Sequence, residues 1–202
     1  MHRIIEQEDM DVFLVADHLL KCLDLLLSLE DKPSFRQLLI DAGNKGRQSG
    51  AHDMAFNYYK AAIQLSDPEE EWDDDNYPVT LQLYTNALGL SFVLGNNETT
   101  ESLSDIIFKH ARTPLDRKAA YLIQAYCYLS LQKPSEGRDT LVKCLEDLGN
   151  EKLTFENPEK DMQEGIDLLE KALGNLDMDE IPNIGLSDDP YVHATAEIMG
   201  EL

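Results

Sequence analysis

The side chains that could do chemistry in this sequence are few and scattered. Five histidines, three cysteines and 39 acids stand among 202 residues. His52-Asp53 is a lone imidazole–carboxylate pair at a helix start, where capping and a solvated imidazole account for it without a base or a metal. The densest acidic stretch runs from Asp67 to Tyr77, where Glu69-Glu70-Glu71 and Asp73-Asp74-Asp75 flank the only tryptophan, Trp72. As a calcium loop it lacks the central glycine and the distal bidentate glutamate of an EF-hand. It reads instead as a solvated loop pinned by Trp72. Gly-x-x-x-x-Gly-Lys, Gly-x-Gly-x-x-Gly and His-Glu-x-x-His are absent, and no Cys/His cluster has zinc spacing. No catalytic residue, metal ligand or cofactor is therefore expected.

Two histidines raise phosphorelay as a rival function. His18-Leu19-Leu20-Lys21 resembles the His-x-Leu-Lys of histidine phosphotransfer domains, which are four-helix bundles. Those domains place small residues after the lysine so that a receiver domain can approach. Here Cys22 and Leu23 follow, and the helix turns these bulkier side chains toward a core. A phosphotransfer module using His18 is the alternative function. His110-Ala111-Arg112-Thr113-Pro114-Leu115 superficially resembles a kinase phosphoacceptor box, but it is one residue short, lacks an acidic neighbour and straddles a helix break.

The elements that must position these residues are all helical. Over Asp9 to Leu29, the residues Val12, Val15, Ala16, Leu19, Leu20, Leu23, Leu26 and Leu27 form one stripe at helical spacing, with Asp17, His18, Lys21 and Asp24 off it. Phe35, Leu38, Leu39 and Ala42 then predict one helix, and Ala55, Tyr58, Tyr59 and Ala62 another, reversing at Gly50. Gly43 and Ala55 are small where the two would cross. The theme recurs. Tyr84, Ala87 and Leu88 lead to Gly95 and are followed by Leu103, Ile106 and Ile107. Tyr121, Ala125 and Tyr128 lead to Gln132 and are followed by Gly137, Leu141 and Cys144. Thr100 and Gln132 stand where a small residue and a glycine are expected, which puts the tightness of the second and third hairpins in doubt. Thr113-Pro114 and Asp189-Pro190 are helix starts. A further helix is predicted over Met162, Ile166, Leu169, Leu173 and Leu176. No strand pattern of period two occurs.

Composition narrows the partners. With 17 bases against 39 acids the net charge is −22, which disfavours nucleic-acid phosphates and anionic membrane surfaces. Cys22, Cys127 and Cys144 are odd in number and form no Cys-x-x-Cys pair, the usage of a reduced, cytoplasmic compartment. The apolar run Leu19 to Leu29 is broken by Lys21 and Asp24, so no membrane span is expected.

Leu39, Gly43, Gly50, Ala55, Tyr59 and Ala62 fall at spacings that resemble a tetratricopeptide repeat. The steps from Gly50 to Gly95 and from Gly95 to Gln132 are 45 and 37 residues, longer than the roughly 34 of strict members, so the repeat is degenerate. Further positions widen the resemblance. An acidic linker ending in Trp72 precedes Leu81, Leu83-Tyr84, Ala87 and Val93-Leu94-Gly95-Asn96. Upstream stand His18-Leu19, Leu38-Leu39 and Ala42-Gly43. Downstream stand Leu145, Leu148-Gly149, Ile181-Pro182, Asp189-Pro190, Ala194 and Ile198-Met199. Over residues 10 to 200 this resembles the helical-repeat segment that follows the ATPase module of fungal-type multi-sensor hybrid histidine kinases. More distantly it is similar to the repeat arm of maltose-regulator-type signal-transduction ATPases. The resemblance implies a segment of a longer signalling protein that connects and regulates its neighbours.

The fold expected is therefore all-α, an α-solenoid of tetratricopeptide-like antiparallel helical hairpins with extra flanking helices. Residues 1–33 lead into the array, 34–150 form three degenerate hairpins (about 34–66, 78–111 and 113–149), and 158–202 form C-terminal helices. The final helix stays apolar through Ala194, Ile198 and Met199 to the end of the sequence, so the chain is expected to be truncated and open to self-association there. The function expected is non-catalytic: protein–protein interaction and interdomain coupling, with a free-standing repeat adaptor or chaperone cofactor as a further alternative. In a tetratricopeptide-like stack the first helix of each hairpin lines the concave side. That selects Gln37, Asn44 and Arg47, then Gln82, Thr85 and Phe92, then Tyr126 as partner-binding residues. The partner is another domain of the same polypeptide, or a peptide or helix of a signalling protein. Alternatively, Phe92 and Tyr126 belong to the core.

Overall fold

The structure, a computed structural model, describes residues 2–28, 31–68, 70–150 and 187–202, together with single helical positions at Lys160, Gln163, Ile166, Asp167 and Lys171. The described residues form nine helices and no strand. They are α1 (His2–Lys21), α2 (Leu23–Leu26), α3 (Lys32–Gln48), α4 (His52–Gln64), α5 (Tyr77–Val93), α6 (Asn97–His110), α7 (Pro114–Ser130), α8 (Pro134–Asp147) and α9 (Pro190–Glu201). The helix expected over Met162 to Leu176 falls largely outside the described residues.

Six of these helices pair as three hairpins, α3 with α4, α5 with α6 and α7 with α8, and each hairpin packs on the next. The first helix is 17 residues long in every hairpin, and the second is 13 or 14. The reversals share one device. The residue two past each first helix has positive φ: Gly50 at 78°, Gly95 at 70° and Gln132 at 59°. The next amide reaches back to a carbonyl five residues earlier, Ala51 to Gly46 at 2.8 Å, Asn96 to Ser91 at 2.9 Å and Lys133 to Tyr128 at 2.9 Å. These are Schellman turns, which satisfy the last carbonyls of the helix and turn the chain sharply. Gln132 thus adopts the left-handed conformation despite its side chain.

The apolar stripes bury as their spacing requires. Leu39, Ala42, Ala55, Tyr58, Tyr59 and Ala62 are inaccessible or nearly so, as are Leu83, Ala87, Leu88 and Ile107 in the second hairpin. In the third hairpin Tyr121, Ala125, Leu141, Cys144 and Leu145 are buried, and they form a second cluster shared with Ala194 and Ile198 of α9. Thr100 is buried without loss of tightness, because its hydroxyl bonds Ser91 at 2.8 Å and the Asn96 carbonyl at 3.0 Å. A buried hydroxyl with partners avoids the penalty of an unsatisfied one.

Two expectations are corrected. The N-terminal helix is not continuous to Leu29. It breaks at Cys22, whose thiol bonds the His18 carbonyl at 3.0 Å, and α2 follows as a single turn. Along the stripe Ala16, Leu19 and Leu26 are buried, while Val15 and Leu27 are exposed. The crossing of α3 and α4 is also arranged differently. Ala55 faces Gly46, where a Cβ would stand 3.2 Å from the Ala55 methyl, whereas Gly43 faces the ring of the fully buried Tyr59.

A methyl group on Gly43 would lie within 2.6 Å of Tyr59 Cδ1, inside van der Waals contact. Gly43→Ala is therefore expected to destabilise the chain by about 1–3 kcal/mol, the usual cost of overpacking. The urea midpoint measures this, and an unchanged midpoint contradicts the close approach.

Candidate functional site

Two links join the sequence-selected residues across helices: Asn44 of α3 reaches Gln82 of α5 through Asn86, and Phe92 of α5 meets Tyr126 of α7. On α3, Asn44 is half-buried and held from two sides. The Tyr59 hydroxyl donates to Asn44 Oδ1 at 2.7 Å, and Asn86 Nδ2 of α5 donates to the same oxygen at 3.4 Å. Gln82 Nε2 in turn donates to Asn86 Oδ1 at 3.3 Å. The result is a ladder of amides running from the first hairpin to the second. Arg47 is exposed beside this ladder. Burial pushes the Tyr59 hydroxyl above its ordinary pKa, and the nearby Arg47 guanidinium opposes that rise. The phenol therefore keeps its proton and remains the donor that orients Asn44. Thr85 is half-buried on α5. Gln37 is exposed and bonds Asp41 of its own helix at 2.9 Å, so it is not drawn into the ladder.

Further along α5, Phe92 stacks on Tyr126 of α7, with ring centroids 6.2 Å apart and planes at 28°. Both rings are half-buried and belong to neither buried cluster among the described residues. They are not core. Glu201 at the end of α9 lies near Tyr126, and burial, then that carboxylate, raises the Tyr126 pKa.

Charge is divided between first and second helices. α3 carries Lys32, Arg36, Lys45 and Arg47 against Asp41 alone, α5 carries no charged side chain, and α7 carries Arg117 and Lys118 against Asp116. Two of the second helices carry more acids than bases: Glu98, Glu101 and Asp105 against Lys109 on α6, and Glu136, Asp139, Glu146 and Asp147 against Arg138 and Lys143 on α8, while α4 is balanced with Asp53 against Lys60. Counted helix by helix, α3, α5 and α7 carry no more than one acid each.

Sequence reasoning missed Asn86 and Tyr59 as members of this ladder. Gln82 and Asn86, four apart on a helix with no charges, were the available signal. It also missed how the acidic linker is fastened. Trp72 stacks on His110 at 4.7 Å and 13°, and leans on Tyr84 at 5.1 Å. Arg112 lies over the Tyr77 ring at 4.1 Å, donates to the Trp72 carbonyl at 2.9 Å and pairs with Asp74. The Tyr77 hydroxyl donates to Asp116 Oδ2 at 2.7 Å, and Asp116 closes a capping box with Thr113 at the start of α7. The linker between the first two hairpins is thereby bolted to the start of the third. The Thr113-x-x-Asp116 pattern was readable as that box.

A cleft of about 360 Å³ opens beside the linker, lined by Lys32, Arg36, Asp67, Glu70, Glu71 and Asn76 among others. Its half-buried Arg36 is engaged by Ser66 at 2.9 Å and Thr80 at 2.8 Å, and burial lowers its pKa. His18 is exposed near the end of α1, three residues before the helix stops at Lys21. Burial pushes the Cys144 thiol up to about 11, away from the thiolate. Among the described residues no cluster of three or more His, Cys, Asp or Glu side chains could hold a metal ion, and no helix is long and apolar enough to cross a membrane.

Comparison with protein-family models, curated proteins and solved structures finds no match.

The Asp116 carboxyl has a testable pH signature. Burial alone would raise its pKa, but hydrogen bonds from Tyr77, from Thr113 and from the Arg112 backbone outweigh burial and hold it below 3.8. A depressed folded pKa contributes stability that is complete above the unfolded value of about 4 and is lost as pH falls through the folded value. Asp116→Asn is expected to flatten the decline in stability below pH about 4. Urea titrations at successive pH values check this, and an acid limb of unchanged slope contradicts it.

Proposed function

We infer that this chain is a non-catalytic helical-repeat scaffold whose α3–α5–α7 face binds a segment of a protein partner. On this reading the three hairpins are tetratricopeptide-like units of an α-solenoid, and the shared face is its concave side. The observation that carries the reading is the continuity of that face. The amide ladder Tyr59–Asn44–Asn86–Gln82 passes between hairpins, and the Phe92–Tyr126 pair extends it while remaining outside both buried clusters. Prearranged amides suit an extended main chain or a helix flank, and half-exposed aromatics are the usual anchors of recognition. The low acid content and the equal length of the first helices support the same assignment. The resemblance to the repeat segment of hybrid histidine kinases gives this scaffold a place between the ATPase module and the later domains of a larger cytoplasmic signalling protein, where it couples them.

Pull-down with the adjoining regions of the full-length polypeptide tests the reading. Phe92→Ala is expected to weaken capture by roughly tenfold or more, as loss of an aromatic anchor does. Arg47→Glu should weaken capture too while leaving the melting temperature nearly unchanged, since an exposed charge contributes under about 1 kcal/mol. Asp105→Lys, on α6, should bind as wild type does. If both face variants bind every adjoining region normally, the face assignment is wrong.

A further inference from the structure

The final helix is attached in a way unlike the others. α9 packs on α7 and α8 and no third helix takes comparable contact among the described residues. Along it the buried side chains are Ala194 and Ile198, one helical turn apart, set on Tyr121, Ala125, Leu141 and Leu145. Each of α3–α8 buries between three and seven side chains, against two on α9. Val192 and Met199 of α9 stay 50% and 52% exposed. Its remaining anchors are polar and lie on the rim. Glu197 pairs with Lys118 of α7, Glu201 lies near Tyr126 of α7, and Thr195 accepts from Asn150 Nδ2 at 3.1 Å. α9 carries two acids and no lysine or arginine, and Lys118 of α7 meets one of those acids, while Arg117 is held by Asp147 of α8. The fit is also incomplete. Beyond its C-terminal end a groove of about 370 Å³ stays open, lined by Leu129, Pro134, Gly137, Leu141 and Leu202 among others, with Leu129 49% exposed.

We propose that α9 is a dissociable ligand held in cis, and that the α7–α8 surface beneath it is a binding site for a short acidic amphipathic helix. The structure specifies the pattern: a small residue and an isoleucine four apart enter the apolar trough, and carboxylates three and seven positions after the small residue meet Lys118 and Tyr126. Rim ion pairs contribute little by themselves and set orientation more than strength. Two buried side chains and rim contacts make a weak site, which stays filled because its occupant is covalently joined and never diluted. A separate helix of the same pattern that fills the open groove displaces it. This goes beyond the face assigned above and does not depend on it, although Glu201 covers Tyr126 of that face.

The test uses the full chain and a fluorescein-labelled peptide of residues 187–202. Wild type is expected to bind the peptide poorly, because its own α9 competes. Ile198→Asp should release α9 and raise the peptide affinity by about tenfold or more. Adding Lys118→Glu should weaken that binding several-fold, and a peptide carrying Glu197→Lys should recover it. Equal affinity of wild type and Ile198→Asp overturns the proposal, as does a folded Ile198→Asp chain, by circular dichroism, that binds no peptide. If Ile198→Asp does not fold, native-state hydrogen exchange of wild type decides. Exchange of α9 amides well before those of α7 and α8 supports the proposal, and exchange only with global unfolding overturns it. The pull-down above can fail while this succeeds, since it reads Phe92 and Arg47 on α5 and α3.

Discussion

The close approach of α3 to α4 is the constraint on which the rest depends. Gly43 and Gly46 remove side chains where Tyr59 and Ala55 must lie. The Tyr59 ring can then be fully buried against the α3 backbone with its hydroxyl emerging at Asn44. Burying such a ring is favourable by a few kcal/mol, about 1.5–3 for a large apolar side chain, only if its polar end keeps a partner. Asn44 is that partner, and its remaining bond to Asn86 ties α3 to α5. One packing decision in the first hairpin therefore fixes both the hairpin geometry and the orientation of an amide on the candidate face.

The second constraint is the reversal. Three hairpins of different sequence use the same Schellman geometry, and a fourth such turn, at Gly149 with φ of 91°, ends α8. Glycine supplies the left-handed conformation at three of these positions, and Gln132 accepts it at the other. Uniform turns joined to first helices of equal length place α3, α5 and α7 alike within their hairpins. The acidic linker does not disturb this, because Trp72 and Arg112 fold it back onto His110, Tyr77 and the cap of α7.

Much of this was legible in the sequence, for identifiable reasons. Helical spacing selected the buried faces because burial and the 3.6-residue period act together, as at Leu39, Ala42, Tyr59 and Ala62. Turn residues marked the reversals because few residues tolerate positive φ. Gln132 was found only by alignment to the other turns, since its type carries no such signal. The break at Cys22 was not legible, because the apolar stripe continues through it and the interruption is a local backbone event. Of the candidate residues, spacing selected Asn44, Gln82, Phe92 and Tyr126. It could not show that Asn44 meets Asn86, or that Phe92 meets Tyr126, since those contacts depend on how one hairpin sits on the next. Gln37 shared the spacing and pairs within its own helix instead.

The account stands on the side chains of residue 44 on α3 and residue 86 on α5 meeting across the two hairpins. A double variant, Asn44→Cys with Asn86→Cys, built in a chain whose three native cysteines are replaced by alanine or serine, measures this directly with a short bifunctional thiol reagent. The account predicts one intramolecular link, found by mass spectrometry as a peptide joining positions 44 and 86, formed without change in the helical circular dichroism. Failure to link in a folded chain, or linking only between separate chains, would contradict it.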